Sequence, residues 1–177
     1  MSKKSIVFFF CFITSIIFGQ ESMTVQSKSY PATPTWNFMC DNYVLSGIAN
    51  IQIAKSDKGG YLKIAVETIN PAFAITGNVY VDLKDFTAII CTDKGLRTTD
   101  GNQIVSYYAF SQAEMSRLQK VDVESIRFFI NGKSTSFSSQ TGYFTAVNKK
   151  KFFHTAYDSN ITFYETAAAV RDLFLKK

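Results

Sequence analysis

The stretch that decides the fold is IANIQIAKSDKGGYLKIAVE, residues 48–67. Apolar side chains alternate with more polar ones through both halves, at Ile51 and Ile53 and then at Leu62, Ile64 and Val66. A period of two is typical of a half-buried strand. Lys58-Gly59-Gly60 lies between the halves and is a turn signal. Residues 48–67 therefore predict a β-hairpin.

Further short, β-prone runs flank this hairpin. They lie at residues 36–40, 79–83, 86–91, 104–110, 125–130 and 142–147. The run at 86–91 has enough apolar side chains for a central strand. Short strands separated by turn signals at intervals of about 8–12 residues favour an antiparallel sheet or a sandwich.

Two helices are expected among these strands. Ser111 and Glu114 have the spacing of a capping box, which predicts a short internal helix ending near Lys120. Residues 165–174 favour a C-terminal helix. Its apolar face comprises Phe163, Ala167, Val170 and Phe174. We expect that face to pack on the sheet, with partner binding as the alternative. The predicted class is α+β, predominantly antiparallel β, with one short internal helix and one C-terminal helix.

Residues 1–19 have the pattern of a secretory signal peptide. Lys3 and Lys4 precede an uncharged apolar run from Ile6 to Phe18, and Gly19 provides a small residue for cleavage. A retained membrane anchor is the alternative, but the run is shorter than the roughly 20 residues that span a bilayer. We expect export to the periplasm or the extracellular space and no membrane span after cleavage.

The rest of the chain is predicted to contain a leader and one domain. Residues 20–34 are polar and include Pro31 and Pro34, which is typical of a flexible leader. Residues 35–177 show no interior linker and no repeat, so we expect a single β-rich domain.

The charge of the chain argues against nucleic-acid binding. The 177 residues carry a formal net charge of +5, which falls by two when residues 1–19 are removed. Nucleic-acid binders usually concentrate basic residues in a stripe. Here the basic run is Lys149-Lys150-Lys151, which we interpret as a solvated turn.

Cysteine usage suggests one disulfide. Cys40 and Cys91 remain after cleavage, and an even pair in an exported chain predicts a bridge between them. Two buried thiols are the alternative, because both residues have apolar neighbours. Their spacing does not match a redox or zinc motif.

Candidates for catalysis are few. The chain has one histidine, His154, which is the candidate general base of a hydrolase, but the Gly-x-Ser-x-Gly nucleophile motif is absent. The aspartates Asp82, Asp85, Asp93 and Asp100 fit no standard calcium loop and are interpreted as turn residues. Phosphate-binding glycine motifs are absent as well. No metal and no cofactor are therefore expected.

Aromatic pairs are the remaining functional signal. Tyr107-Tyr108, Phe128-Phe129 and Phe152-Phe153 place neighbouring rings on opposite faces of a strand, so one ring of each pair belongs to the core. An exposed aromatic patch marks a contact site. The leading hypothesis is a non-catalytic exported domain that binds a protein, a glycan or an envelope component. The alternatives are a small secreted hydrolase using His154 and a carrier of an apolar ligand.

Overall fold

The computed structural model describes residues 21–40, 47–133, 140–150 and 162–175. Within these residues the chain forms eleven strands and two helices. In chain order they are β1 (Glu21–Val25), β2 (Lys28–Ala32), β3 (Trp36–Cys40), β4 (Ile48–Ser56), β5 (Gly59–Glu67), β6 (Ala74–Leu83), β7 (Ala88–Cys91), β8 (Arg97–Asp100), β9 (Gln103–Ser111), α1 (Gln112–Leu118), β10 (Val123–Asn131), β11 (Gly142–Val147) and α2 (Thr166–Leu175). Neither helix of this described part is long and apolar enough to cross a membrane.

The strands form one antiparallel sheet. Its hydrogen-bonded order is β7-β6-β10-β11-β3-β4-β5-β9-β8, and β1 and β2 form a side branch that joins the sheet through β4. The predicted class, α+β with mainly antiparallel strands, an internal helix and a C-terminal helix, is confirmed.

The predicted hairpin over residues 48–67 is the pair β4–β5. Ile51 lies opposite Ile64 and Ile53 lies opposite Leu62, and all four side chains are buried in the main core. Gly59 begins β5 with φ +141°, a conformation that L side chains rarely adopt. The turn therefore needs a glycine where the sequence places one.

The sheet curls so that β6 approaches β9 across the core. The Ser106 hydroxyl donates to the Ile75 carbonyl at 3.0 Å, and the Tyr108 hydroxyl donates to the Gly77 carbonyl at 3.3 Å. Arg97 Nε on β8 also donates to the Ile75 carbonyl, at 2.7 Å. These side-chain hydrogen bonds join β8 and β9 to the backbone of β6. The interior of the curled sheet holds the main core.

Helix α1 begins with the predicted capping box. The Glu114 carboxylate accepts from the Ser111 backbone N–H at 2.7 Å, and the Glu114 N–H donates to the Ser111 hydroxyl. Met115 and Leu118 face the core, as the sequence predicts. A Cβ on Gly60 would lie 2.4 Å from the Met115 sulfur, so a glycine at this point of β5 lets α1 pack closely.

Helix α2 packs against α1 and β4, and its buried face differs from the predicted one. Ala167 and Val170 are buried as expected, and Val170 belongs to the main core. Leu173 occupies the next buried position, whereas Phe174 lies at the surface, where its ring contacts Lys55. Phe163 precedes the helix and is also partly exposed. The helix is therefore turned slightly relative to the predicted orientation.

The flexible leader predicted for residues 20–34 is wrong for residues 21–32, which form the β1–β2 hairpin. Met23 and Val25 of this hairpin are buried against Ala54, on the outer face of β4. The physical reason is that two apolar side chains, alternating with polar ones, cover an apolar patch that the sheet would otherwise expose.

The predicted Cys40–Cys91 disulfide is also wrong. Both side chains are buried thiols in the main core. Cys40 lies on β3 and Cys91 on β7, and three strands separate β3 from β7 in the sheet order. Burial, with a smaller effect of the Glu114 charge, raises the pKa of the Cys91 thiol to about 12, so this thiol stays protonated near neutral pH.

Candidate functional site

The sequence-predicted base His154 lies outside the described residues, as do Phe152 and Phe153. The described part of the chain contains no group of three or more His, Cys, Asp or Glu residues that could hold a metal ion.

Asp85 and Asp93 form hydrogen bonds that stabilise local turns of the fold. Asp93 pairs with Arg97 and accepts from the backbone N–H groups of Gly77 and Gly95, both at 2.8 Å. Asp85 accepts from Thr87, and this hydrogen bond lowers the pKa of the Asp85 carboxyl. Both aspartates thus fix turns, in keeping with their interpretation as turn residues.

Asp82 fixes an arginine on the outer face of the sheet. Arg127 Nε and Nη2 both donate to its carboxylate at 2.8 Å, and the Ser125 hydroxyl donates at 3.0 Å. The Arg127 hydrogen bonds are the main cause of the lowered pKa of Asp82. A bidentate pair of this kind holds the guanidinium plane in one orientation.

Alternation along β10 and β11 places one aromatic ring inward and the next outward. Phe128 and Phe144 are buried and their ring centroids lie 5.9 Å apart. Their neighbours Phe129 and Tyr143 form a second pair on the opposite face, with centroids 4.8 Å apart. The prediction that one ring of the Phe128-Phe129 pair is core is confirmed, and Tyr143 is 84% exposed.

The outward pair continues across β6 to β7. Tyr80 lies opposite Arg127 on one side and opposite Ile90 on the other. The Arg127 guanidinium carbon is 4.9 Å from the Tyr80 ring centroid, within the range of a cation–π contact. Tyr80 is 37% exposed and Ile90 56% exposed. We call the surface formed by Tyr80, Ile90, Arg127, Phe129 and Tyr143 the aromatic face.

Strand β7 is an edge of the sheet, which corrects the prediction of a central strand over residues 86–91. Its four residues pair with β6 alone. A groove of about 450 Å³ lies between β7 and the far part of β9. Its walls include Lys58, Tyr61, Ile90, Lys94, Ala109 and Glu114, and we call it the β7 groove. Ile90 belongs to both the groove and the aromatic face.

Comparisons with protein-family models, with curated proteins and with solved structures found no match to this chain. Sequence reasoning identified the alternation at Phe128-Phe129 but missed Tyr80 and Ile90. Tyr80 and Ile90 are the outward-facing residues of β6 and β7. Alternation along each strand could have identified them, but only the strand order shows that they are neighbours.

Proposed function

We propose that this protein is an exported, non-catalytic domain that binds another protein through the aromatic face. The observation that carries the proposal is a row of side chains on one side of β7, β6, β10 and β11, in which Ile90, Tyr80 and Tyr143 are exposed and Phe129 is half-buried. Contiguous exposed apolar surface on a folded domain marks an interaction site. The signal-peptide pattern of residues 1–19 supports an exported location.

The composition of the aromatic face favours a protein partner over a charged ligand. Tyrosine, phenylalanine and arginine are enriched at protein interfaces, and the aromatic face consists of such residues except for Ile90. The Asp82 carboxylate balances the charge of Arg127, so the face has little net charge to attract an ionic ligand. The guanidinium held by Asp82 and the Phe129–Tyr143 ring pair need little ordering on binding, which lowers the entropic cost of association.

The experiment is site-specific photocrosslinking followed by affinity measurement. Benzoylphenylalanine replaces Tyr143 in one version of the protein and Thr99 in a control version. Thr99 is exposed on β8, which is the opposite end of the strand order from β7 and contributes no residue to the aromatic face. Each version is exposed to the envelope fraction of the source cell. We expect a defined crosslinked protein from Tyr143 and not from Thr99.

The captured protein is then purified and its affinity for substituted chains is measured. Tyr143→Ala combined with Phe129→Ala should weaken binding by about 2 kcal/mol, roughly thirtyfold, as expected for interface hot spots. An unchanged melting temperature controls for folding. Equal crosslinking from both positions, or no loss of affinity in the double variant, would contradict the proposal. Recovery of a released small molecule instead would favour the carrier, and turnover abolished by His154→Ala would favour the hydrolase.

A further inference from the structure

Two tyrosine rings lie against each other where the β1–β2 hairpin covers the sheet. Tyr30 belongs to β2 and Tyr61 to β5, and their ring centroids are 5.1 Å apart, within the range of an aromatic contact. Both rings border the second apolar cluster, around Ala54 on the outer face of β4. Within the described residues this is the one ring pair made of two tyrosines, and we call it the tyrosine pair.

The phenol groups of the tyrosine pair face each other. Burial raises the pKa of Tyr61, and a side-chain hydrogen bond with Tyr30 raises it further. A hydrogen bond between the two hydroxyls brings together the Cε carbons of the rings, because each Cε is bonded to the carbon that carries the hydroxyl. In a phenoxyl radical these ortho carbons share the unpaired electron. The rings are therefore oriented for a bond between one Cε carbon and the other.

An oxidant can reach both rings in the folded chain. Tyr30 and Tyr61 are half-buried, whereas Tyr108 is enclosed in the main core. Tyr61 also forms part of the wall of the β7 groove, whose volume of about 450 Å³ far exceeds that of a peroxide molecule. Oxidation of the tyrosine pair therefore requires no opening of the fold.

The β1–β2 hairpin is attached to the sheet by backbone hydrogen bonds at one end. The register of β2 on β4 contains the single pair Ala32–Ala54. Beside it, the Thr33 N–H donates to the Ile53 carbonyl at 2.8 Å. The turn of the hairpin lies at the other end of β2, so this ladder does not hold it.

Side chains hold the hairpin nearer its turn. The ion pair between Lys28 and Asp57 is 3.9 Å long and mostly exposed, so solvent screens it. The tyrosine pair is the second contact at this end. Cys40 and Cys91 are free thiols, so neither of them provides a covalent link for the hairpin. A bond within the tyrosine pair would fix the hairpin to β5 where its attachment is weakest.

We propose that the tyrosine pair is a site of oxidative cross-linking, at which hydrogen peroxide and a haem peroxidase join Tyr30 and Tyr61 into an intrachain dityrosine. Each phenol loses one electron and one proton, and the two phenoxyl radicals couple through a bond between their Cε carbons. The hydrogen on each coupled carbon then moves to a phenol oxygen, which restores both aromatic rings. One peroxide molecule accepts the two electrons and two protons and becomes two water molecules. The product has two hydrogen atoms fewer than the parent chain.

This inference goes beyond the proposed binding function and does not depend on the aromatic face. The test treats the purified chain with a haem peroxidase and hydrogen peroxide, at a protein concentration low enough to suppress contacts between chains. We expect dityrosine fluorescence in the monomer fraction after gel filtration. Trypsin releases Tyr61 in the peptide 59–63 and Tyr30 in the peptide 29–55. Mass spectrometry should find these two peptides linked, with two hydrogen atoms fewer than their sum.

Substitutions of single phenols identify the reacting residues. Tyr30→Phe or Tyr61→Phe removes one phenol and keeps the ring, so either should abolish the linked peptides. Tyr107→Phe is the matched control, because Tyr107 borders the same apolar cluster but forms no ring pair within the described residues. It should leave the yield unchanged. The peptide 29–55 also contains Tyr43, and the result for Tyr30→Phe shows which of its two tyrosines reacts.

The cross-link should also restrict the hairpin. A covalent loop from Tyr30 to Tyr61 reduces the freedom of the unfolded chain and should raise the melting temperature by roughly 10 °C. The Thr33 amide, which bonds to the Ile53 carbonyl, should exchange its hydrogen about tenfold more slowly once the hairpin cannot detach. Both measurements compare the cross-linked monomer with the untreated chain.

Four outcomes would overturn the inference. They are no dityrosine in the monomer, dityrosine formed only between chains, linked peptides that retain full yield in Tyr30→Phe, and an equal loss of yield in Tyr107→Phe. The role in holding the hairpin is refuted if the cross-linked monomer shows the melting temperature and the Thr33 exchange rate of the untreated chain. Peptide mapping of the parent chain identifies the linked tyrosines even if a variant fails to fold.

Discussion

Asn148 offers the sharpest test of how the fold is held together. Its side chain is completely buried between β10 and the segment that leads to α2. Nδ2 donates to the carbonyls of Val123 and Tyr164, at 2.8 and 2.9 Å, and Oδ1 accepts from the Tyr164 N–H at 2.8 Å. Asn148→Asp preserves the shape of the side chain and keeps the acceptor. It replaces the Nδ2 donor by an oxygen that faces the carbonyls of Val123 and Tyr164.

The cost of Asn148→Asp follows from those contacts. The buried Val123 carbonyl and the partly buried Tyr164 carbonyl lose their donor, at about 1–3 kcal/mol each, and an ionised carboxylate is buried at position 148. We expect the free energy of unfolding to fall by about 4 kcal/mol at pH 7, a large part of the 5–15 kcal/mol typical of a domain. A protonated carboxyl can donate to one carbonyl, so the loss should shrink to about 2 kcal/mol in acid.

The direction of the pH effect is set by burial. Burial raises the pKa of the new carboxyl in the folded state above the unfolded value of about 3.9. The loss of stability is therefore smallest below pH 3.9. It grows as the pH rises from there to the folded-state pKa, and is constant above it.

Urea unfolding at pH 7 and pH 4 measures this effect, with the fluorescence of Trp36 as the probe. Trp36 is the single tryptophan, is buried, and stacks on Phe38. Asn37→Asp is the matched control, because Asn37 is exposed on β3 and should change stability by less than about 0.5 kcal/mol. A loss below 1 kcal/mol for Asn148→Asp at pH 7, or an equal loss at both pH values, would refute the reasoning.

Three further predictions concern the surface and the thiols. Phe86→Gly should raise the free energy of unfolding by about 1 kcal/mol, because it relieves a left-handed backbone at an exposed site; a decrease in urea unfolding contradicts this. The pKa of Asp82 is lowered, so its pairing with Arg127 stabilises the fold fully above about pH 3.9, and this stabilisation is lost as the pH falls through the lowered pKa. Arg127→Met should therefore reduce the dependence of stability on pH in the acid range. Cys91 should resist alkylation at pH 8 in the folded chain and react after unfolding without a reductant; mass spectrometry showing that a reductant is needed would restore the Cys40 disulfide.

The parts of the fold that sequence predicted are those whose determinants are local. The β4–β5 hairpin follows from alternation within residues 48–67 and from a glycine-containing turn. The start of α1 follows from Ser111 and Glu114, which are three residues apart and bond to each other. In both cases the interacting groups lie close together in the chain.

The β1–β2 hairpin escaped prediction because its turn has no conventional signal. Gln26 and Ser27 both have positive φ, at 50° and 66°, in a two-residue turn where Asn-Gly or Asp-Gly is usual. Its apolar side chains Met23 and Val25 are too few to stand out among polar neighbours. They become significant only when Ala54 and the outer face of β4 lie beneath them.

The status of β7 and of the two cysteines depends on strand order. The run Ala88–Cys91 is as apolar as a central strand, but whether a neighbour lies on each side is decided by connections far along the chain. The same order places three strands between Cys40 and Cys91. Composition suggested that the two cysteines pair, but in the fold they lie on strands separated by three others and form no disulfide with each other.

The candidate site depends on which parts of the outer face are covered. Alternation at Phe128-Phe129 predicts one inward and one outward ring, but it does not predict what lies over the outward one. The β1–β2 hairpin covers the outer face where Tyr61 and Tyr107 project, and these rings join a second apolar cluster. Over β6, β10 and β11 the described chain provides no such cover, so Tyr143 remains exposed. The fold thus covers one half of its outer face with a hairpin and leaves Tyr80 and Tyr143 exposed on the other half. This asymmetry supports the proposal that a partner protein covers the aromatic face.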